Sequence, residues 1–411
     1  MDNASTASAR QDRLTVPLPD AFGIDPSPTL RRLREEEPVA LARTVNGHEV
    51  WLVTRYADVK TVLSDPRFSR AEVVRPGRPY AAATPPRTNT LPAMDPPEHT
   101  RLRGLVTASF AHRRIEQRRQ WVREQADRCV DELVAAGAPA DLQLHLATRL
   151  PLRVICELLG APVADEPAIR EWTEAMYSLE PDTARAANDA YDALLTYMAA
   201  LVDEKERVLA APAAEPADLL GELLRTAKDS DRISHDELVH FGVTMLVGGY
   251  ETTANQIGAF VIDLLRRPAR WESLRADPAL LPDAIEELLR SNMLSETGQV
   301  RVALEDVELS GTLIRAGEGV MAHIGAANRD ADVFTAPDEI DFRRSESTHL
   351  TFGHGIHYCL GAHLARVELQ EALGVLLSRL PGLRLAVPAE DIVWRRSLLR
   401  GPQAVLVAWE E

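Results

Sequence analysis

Thr351-Phe352-Gly353-His354-Gly355-Ile356-His357-Tyr358-Cys359-Leu360-Gly361 is the stretch that decides how the rest of the chain is read. Glycines at 353, 355 and 361 flank a single cysteine, and LARVELQEALGVLLSRL follows with helical spacing. Cys359 therefore stands where a tight loop enters a helix. The free N–H groups and positive end of such a helix favour a thiolate over a thiol. Gly361 leaves room for a flat group against the helix start. The other cysteines, Cys129 and Cys156, read as small buried hydrophobes. Three widely spaced cysteines exclude both a disulfide framework and a zinc cluster of the CxxC kind.

About a hundred residues upstream lies a second unusual segment. Ser234-His235-Asp236-Glu237 has the form of a capping box, and the helical pattern it opens runs to Arg266-Arg267, where Pro268 stops it. A helix of roughly 30 residues is about 45 Å long and would cross the whole molecule. Its centre reads MLVGGYETTANQIGAF, and between His240 and Asp263 the only charged residue is Glu251. A helix apolar on most sides is buried, which makes Glu251 a desolvated carboxylate. Gly248 and Gly249 precede it, each costing about 1 kcal/mol against alanine in a helix. Two together imply that the backbone widens or that something flat approaches it closely. The hydroxyls of Thr252 and Thr253 can bond back into that turn. On these residues alone a plain core helix with a close helix crossing is an equal reading. A membrane span is disfavoured by Glu251, Asn255 and Gln256.

The remaining chain supplies a frame. Residues 1–14 read as a disordered tail, and a short helix follows Ser27. VALARTV and HEVWLV flank Asn46-Gly47, a hairpin signal. Seven prolines between Arg75 and Pro97 make that segment a long loop with few apolar anchors. Helical patterns dominate from Pro97 to Arg267, and strand-like runs return at Val307–Ile314 and Ala404–Trp409. The expected fold class is mainly α with a small β part. At 411 residues and 45% hydrophobic content the chain can enclose a sizeable cofactor. A net charge of −16 argues against general nucleic-acid binding. The polar N-terminus has no apolar signal or anchor segment, so a reduced, cytoplasmic setting without a membrane is expected.

FGHGIHYCLG resembles the haem-thiolate signature FxxGxxxCxG of the cytochrome P450 superfamily. Gly248-Gly249-Tyr250-Glu251-Thr252 resembles its oxygen-activating stretch, and Glu287-Leu288-Leu289-Arg290 its ExxR helix. Asp95 to Arg103 resembles the propionate-binding helix start of soluble bacterial members. Ala327-Asn328-Arg329-Asp330 and Asp341-Phe342 match segments leading to the cysteine loop. The resemblance runs from the hairpin to the final strands. It departs from the pattern at Gly248, where Ala is commoner, and at Glu251, where the acid is more often Asp. It implies the triangular helical P450 fold with a long central helix, as a single haem domain over residues 15–411.

The resemblance also implies roles. Cys359 would be the thiolate ligand of haem b (iron protoporphyrin IX), with Phe352 and Gly361 against the cofactor. His99, Arg103, Arg301 and His357 would hold the haem propionates. Gly248 and Gly249 would form a groove for O2, with Glu251 and Thr252 relaying protons. Glu287 and Arg290 would be structural. Met245, Val247, Leu294, Ser295 and Leu398 would line a small organic substrate together with the proline-rich loop, and the polar run SETGQ at 295–299 hints at polar groups on that substrate. Electrons would come from NAD(P)H through a ferredoxin reductase and an acidic ferredoxin. The ferredoxin would dock on the proximal face near Arg101, Arg113, Arg114, Arg118, Arg119 and Arg366. The implied activity is C–H hydroxylation or epoxidation in specialised-metabolite biosynthesis, by a monomer. Oxidative coupling or ring formation by the same chemistry is the alternative. A haem-binding gas sensor would need no acid and alcohol at the oxygen site, yet Glu251 and Thr252 are both there.

Overall fold

Alternating side chains and the Asn46-Gly47 turn fold Val39–Thr44 (β2) back on Glu49–Val53 (β3), with Val39 opposite Val53 and Arg43 opposite Glu49. Gly47 has φ +79°, the left-handed conformation that this turn requires. The computed structural model describes residues 14–21, 25–82, 84–180, 182–211, 215–230, 233–346 and 348–410. Leu14–Val16 (β1) runs parallel to β2, so pairing begins at the last residue of the expected tail; residues 1–13 lie outside the described residues. Beyond β3 the sheet continues through Gly319–Ala322 (β9), Gln299–Ala303 (β6) and Phe68–Ser69 (β4), in the order β1-β2-β3-β9-β6-β4. Val307–Leu309 (β7) and Thr312–Ile314 (β8) form a separate hairpin. Ala140–Asp141 (β5), Arg384–Leu385 (β10) and Leu406–Ala408 (β11) make a small third sheet.

Helices form the larger body. Pro28–Glu36 (α1) is capped by Ser27, and Tyr56–Ser64 (α2) packs on β9. Glu98–Val106 (α3) and His112–Glu116 (α4) lead into Arg119–Ala135 (α5) and Arg149–Leu159 (α6). Glu166–Tyr177 (α7) packs on Ala184–Val208 (α8), with Leu219–Ser230 (α9) beside it. The expected long helix is His235–Leu265 (α10); Ser234 accepts from the Glu237 N–H and Glu237 accepts from the Ser234 N–H, completing the capping box. Pro268–Ala276 (α11), Leu281–Ser291 (α12), Ile324–Ala327 (α13) and Ala362–Arg379 (α14) follow. α10 packs against α6, α8 and α14, and one apolar core spans these helices. Smaller cores lie under the six-stranded sheet. The fold is mainly α with a small β part, as read from the sequence.

The proline-rich loop is better anchored than its composition suggested. Arg78 Nη1 donates to Gly317 O at 2.8 Å, and Tyr80 packs on the sheet core. Asn46 Nδ2 donates to Ala82 O at 2.6 Å. Farther along, Arg87 lies over the Tyr191 ring of α8 at 4.5 Å.

Candidate active site

The cysteine loop is held by its own backbone. Gly353 N donates to Leu350 O at 2.7 Å, Tyr358 N to Gly355 O at 3.1 Å, and Cys359 N to Phe352 O at 2.8 Å. Gly353 and Gly355 have φ of +76° and +70°. A Cβ on Gly355 would also lie 2.9 Å from the Ser64 Cα, so only glycine fits there. A Cβ on Gly361 would meet nothing within 4 Å, which leaves the helix start open as expected. Cys359 is exposed, unlike buried Cys129 and Cys156. Burial of the thiol's surroundings pushes its pKa up, while the Gly361 N–H, Arg103 and Arg366 pull it down. Phe352 is half-buried, with the Arg366 guanidinium 4.4 Å over its ring.

Beside this loop the structure gathers donors that have no acceptors. Arg301 is 1% exposed, and its Nη1 and Nη2 have no partner among the described residues. His99 and His357 place their rings 4.4 Å apart, and the Nε2 of each is likewise buried and unpartnered. Burial, then Arg301 and Arg70, pushes His357 down to about 2. Burial, then Arg103, also lowers His99, and burial followed by Arg70 holds Arg301 well below its ordinary value. A cluster of buried donors with no anion of its own is costly, and two incoming carboxylates would satisfy it. These residues fit the propionates of a haem. Arg103 sits one turn after His99 but gives its Nη2 to Tyr358 O at 2.5 Å, bracing the cysteine loop directly.

Glu287 and Arg290 form a closed cluster. Arg290 Nε and Nη2 reach the two Glu287 oxygens at 2.7 Å each, and its remaining bonds go to the carbonyls of Asn328, Pro337 and Glu339. Arg344 Nε adds contacts of 3.0 and 3.1 Å to Glu287. Asn328, unassigned by the sequence reading beyond its motif, carries the restraint onward. Its Oδ1 accepts from Leu350 N at 2.7 Å and its Nδ2 donates to Thr351 Oγ1 at 2.9 Å. The pair thus fixes the segment that leads to Cys359.

The centre of α10 resolves the two glycines into different roles. Gly249 faces α6: a Cβ there would lie 2.6 Å from Ile155 Cδ1. Helix packing gives Gly249 a reason of its own. Gly248 is exposed in the middle of a mainly buried helix, and a Cβ on it would meet nothing within 4 Å. The helix stays regular through both, so no backbone widening is needed. Thr252 Oγ1 donates to Gly248 O at 3.0 Å. Glu251 is 2% exposed, and burial pushes its pKa up to about 8 against the pull of Arg395. Arg395 Nη1 lies 3.8 Å from Glu251 Oε1 and 3.7 Å from Glu174 Oε1 of α7, while Glu251 Oε2 has no partner among the described residues. Arg395 was missed because nothing near it in the sequence links it to Glu251.

The expected walls are partly joined. Met245, Leu294, Ser295 and Leu398 are half-buried and Val247 is buried. Ser295 Oγ donates to Leu398 O at 2.8 Å, and Leu398 N donates to Tyr177 O at 2.8 Å, adding the end of α7 to this wall. Part of the polar run 295–299 turns inward. Glu296 and Thr297 are buried, and Arg400 Nε meets Glu296 Oε1 at 2.7 Å with its guanidinium 3.9 Å over Trp394. The charge at Glu296 belongs to an internal ion pair, while Ser295 stays on the half-buried wall.

The expected basic face is largely neutralised. Arg101 pairs with Glu237, Arg114 with Glu222, Arg119 with Glu116 and Glu371, and Arg366 with Glu286. Arg113 and Arg118 carry no ion pair among the described residues. Among those residues no helix is long and apolar enough to cross a membrane.

Known proteins resemble this chain over most of its length. The profile of the family described as Cytochrome P450 matches residues 168–382. The nocardicin C N-oxygenase of Nocardia uniformis subsp. tsuyamanensis is 44% identical over 403 residues, covering 97% of this chain and all of the relative. The mycinamicin IV hydroxylase/epoxidase of Micromonospora griseorubida is 44% identical, covering 96% of this chain and 98% of its own. The crystal structure of the LnmA cytochrome P450 hydroxylase from the leinamycin pathway of Streptomyces atroolivaceus S-140 superposes with a TM-score of 0.87 at 44% identity. That match covers 96% of this chain and all of the other.

Proposed function

The chain belongs to the cytochrome P450 family, and from that premise we propose that it uses a haem held at Cys359 to oxidise a small specialised metabolite with O2. The named relatives are enzymes, which removes the gas-sensor reading. The observation that carries the assignment of the site is the exposed Cys359 beside the unpartnered donors of Arg301, His99 and His357. Haem with a thiolate ligand supplies the iron chemistry that cleaves dioxygen, the thiolate pushing electron density toward the iron.

The protein's own residues do the rest. Burial holds the Cys359 thiol above its ordinary pKa, and the Gly361 N–H, Arg103 and Arg366 partly offset that rise. Arg301, His99 and His357 would take the propionates and fix the plane of the macrocycle. Gly248 keeps the facing side of α10 free of side-chain bulk. Glu251, with a pKa about 8, holds a proton at neutral pH and can release one, and the Thr252 hydroxyl, which donates to Gly248 O at 3.0 Å, would carry it onward. Met245, Val247, Leu294 and Leu398 offer a mainly apolar lining, so shape more than charge would select the substrate.

The relatives' names give nocardicin C and mycinamicin IV as their substrates, and a small organic specialised metabolite is proposed for this chain without a narrower class. Electrons would arrive from NAD(P)H through a ferredoxin reductase and ferredoxin, docking where Arg113 and Arg118 remain unpaired. The test is a carbon monoxide difference spectrum of the wild type and of Cys359→Ala, followed by product mass analysis with added ferredoxin and reductase. The thiolate-type band should be present in the wild type and lost in the variant, and products should gain one oxygen. Survival of the band in Cys359→Ala overturns the ligand assignment. Products two hydrogens lighter would mark coupling or ring formation instead.

A further inference from the structure

On the face where α4 meets the first turns of α14, three side chains converge outside the site described above. His112 and Glu116 are four residues apart on α4 and so share one face. His363 lies on the first turn of α14, four residues after Cys359. The His112 and His363 rings stack at 4.0 Å with 23° between their planes, and His363 Nε2 lies 2.8 Å from Glu116 Oε1. One nitrogen from each imidazole and one carboxylate oxygen all fall within 4.8 Å of one another.

We propose that His112, Glu116 and His363 form a binding site for a divalent transition metal of the zinc type. Two imidazole nitrogens and one carboxylate oxygen are a donor set that zinc favours, with water completing an open fourth position. A tetrahedral ion with bonds of about 2.0–2.1 Å holds its ligand atoms about 3.3 Å apart, so the existing His363–Glu116 spacing needs only a small opening and a side-chain rotation of His112. The hydrogen bond between His363 and Glu116 explains those two residues. It does not explain His112, whose imidazole has no hydrogen-bond partner among the described residues and lies flat on His363.

The surroundings favour ligation. Arg119 Nε and Nη2 hold the two Glu116 oxygens at 2.8 and 2.9 Å and so fix the orientation of the carboxylate. Arg119 is itself held by Glu371 at 2.7 Å, which fixes the carboxylate from the second layer as metal sites require. Occupancy would clamp α4 to the helix that begins beside the cysteine loop.

The test is calorimetric titration of ZnCl2 into metal-stripped holoprotein, alongside thermal melts. One saturable site is expected, with a melting temperature that rises on zinc addition. His112→Ala and His363→Ala should each weaken binding by about tenfold or more and abolish the thermal shift. His112 is exposed, so its variant should fold normally, and its carbon monoxide spectrum checks that it does. His235→Ala, in the other carboxylate–imidazole group with Asp203 and Glu206, should leave the affinity unchanged. Absence of saturable binding, or binding undiminished in both His112→Ala and His363→Ala, overturns the proposal.

Discussion

Two groups of buried charge solve opposite problems. Around Glu287 every donor of Arg290 finds an acceptor, and Arg344 adds a second cation to the same carboxylate. Around Arg301 two guanidinium nitrogens and the Nε2 atoms of His99 and His357 find none among the described residues. Both groups are deeply buried, so burial by itself does not distinguish structure from function. Saturation does. A closed cluster stabilises the fold without help, whereas an open one costs stability until a ligand closes it. Glu251 stands between the two, with one oxygen 3.8 Å from Arg395 and the other unpartnered.

Breaking the closed cluster should have the largest effect. Arg290→Met leaves the Glu287 carboxylate with only Arg344 and the Asp341 N–H and frees three loop carbonyls, a loss of about 3–5 kcal/mol for a broken buried pair. Little soluble, haem-loaded protein is expected, with a lowered urea midpoint in what remains. A variant as stable as the wild type would refute the structural reading of this pair.

Arg301→Met should separate the two groups. Removing an unpartnered buried cation should leave the unfolding midpoint of the haem-free protein unchanged or raised. Haem release should quicken by about ten- to a hundredfold, from loss of a charged hydrogen bond worth about 1.5–3 kcal/mol. Comparing urea melts of the haem-free forms with haem transfer to apomyoglobin measures both. A variant whose haem-free form is destabilised as much as Arg290→Met would erase the distinction.

Glu251 gives a smaller effect with a defined pH window. Its folded pKa of about 8 lies above the ordinary 4.5, so between those values the folded chain binds more protons than the unfolded chain. Stability therefore falls as pH rises through that window and levels off above it. Glu251→Gln removes this dependence, so its stability gain over wild type should be larger at about pH 8.5 than at about pH 5.5. Turnover in the wild type should fall as the pH passes about 8, and that limb should vanish in the slower variant. Thr252→Ala should keep the carbon monoxide band while releasing more hydrogen peroxide per product. Unchanged coupling would leave Thr252 as a helix residue bonded only to Gly248.

The smallest effect concerns the redox partner. Four of the six expected arginines are already paired, so turnover with ferredoxin should fall only about two- to threefold between roughly 0.05 and 0.5 M salt. A much steeper fall would mean that the ion pairs open on docking.

Much of this was legible without coordinates, and the reason is locality. Positive-φ glycines around Cys359, the capping box at Ser234, the Asn46-Gly47 turn and the three-residue step from Glu287 to Arg290 are all set by near neighbours in the chain. The sequence by itself determined the cysteine loop, the long helix, the hairpin and, through resemblance, the cofactor class. Only the tertiary structure decided which charges find partners. Glu296 is closed by Arg400, Glu251 is met by Arg395, and most of the arginines beside the cysteine loop are neutralised by carboxylates from other helices. It also decided that Gly249 serves the contact with Ile155 while Gly248 faces open space. An ion pair or a close packing contact depends on distance across the fold, and residues far apart in sequence carry no local mark of the partner that folding brings to them.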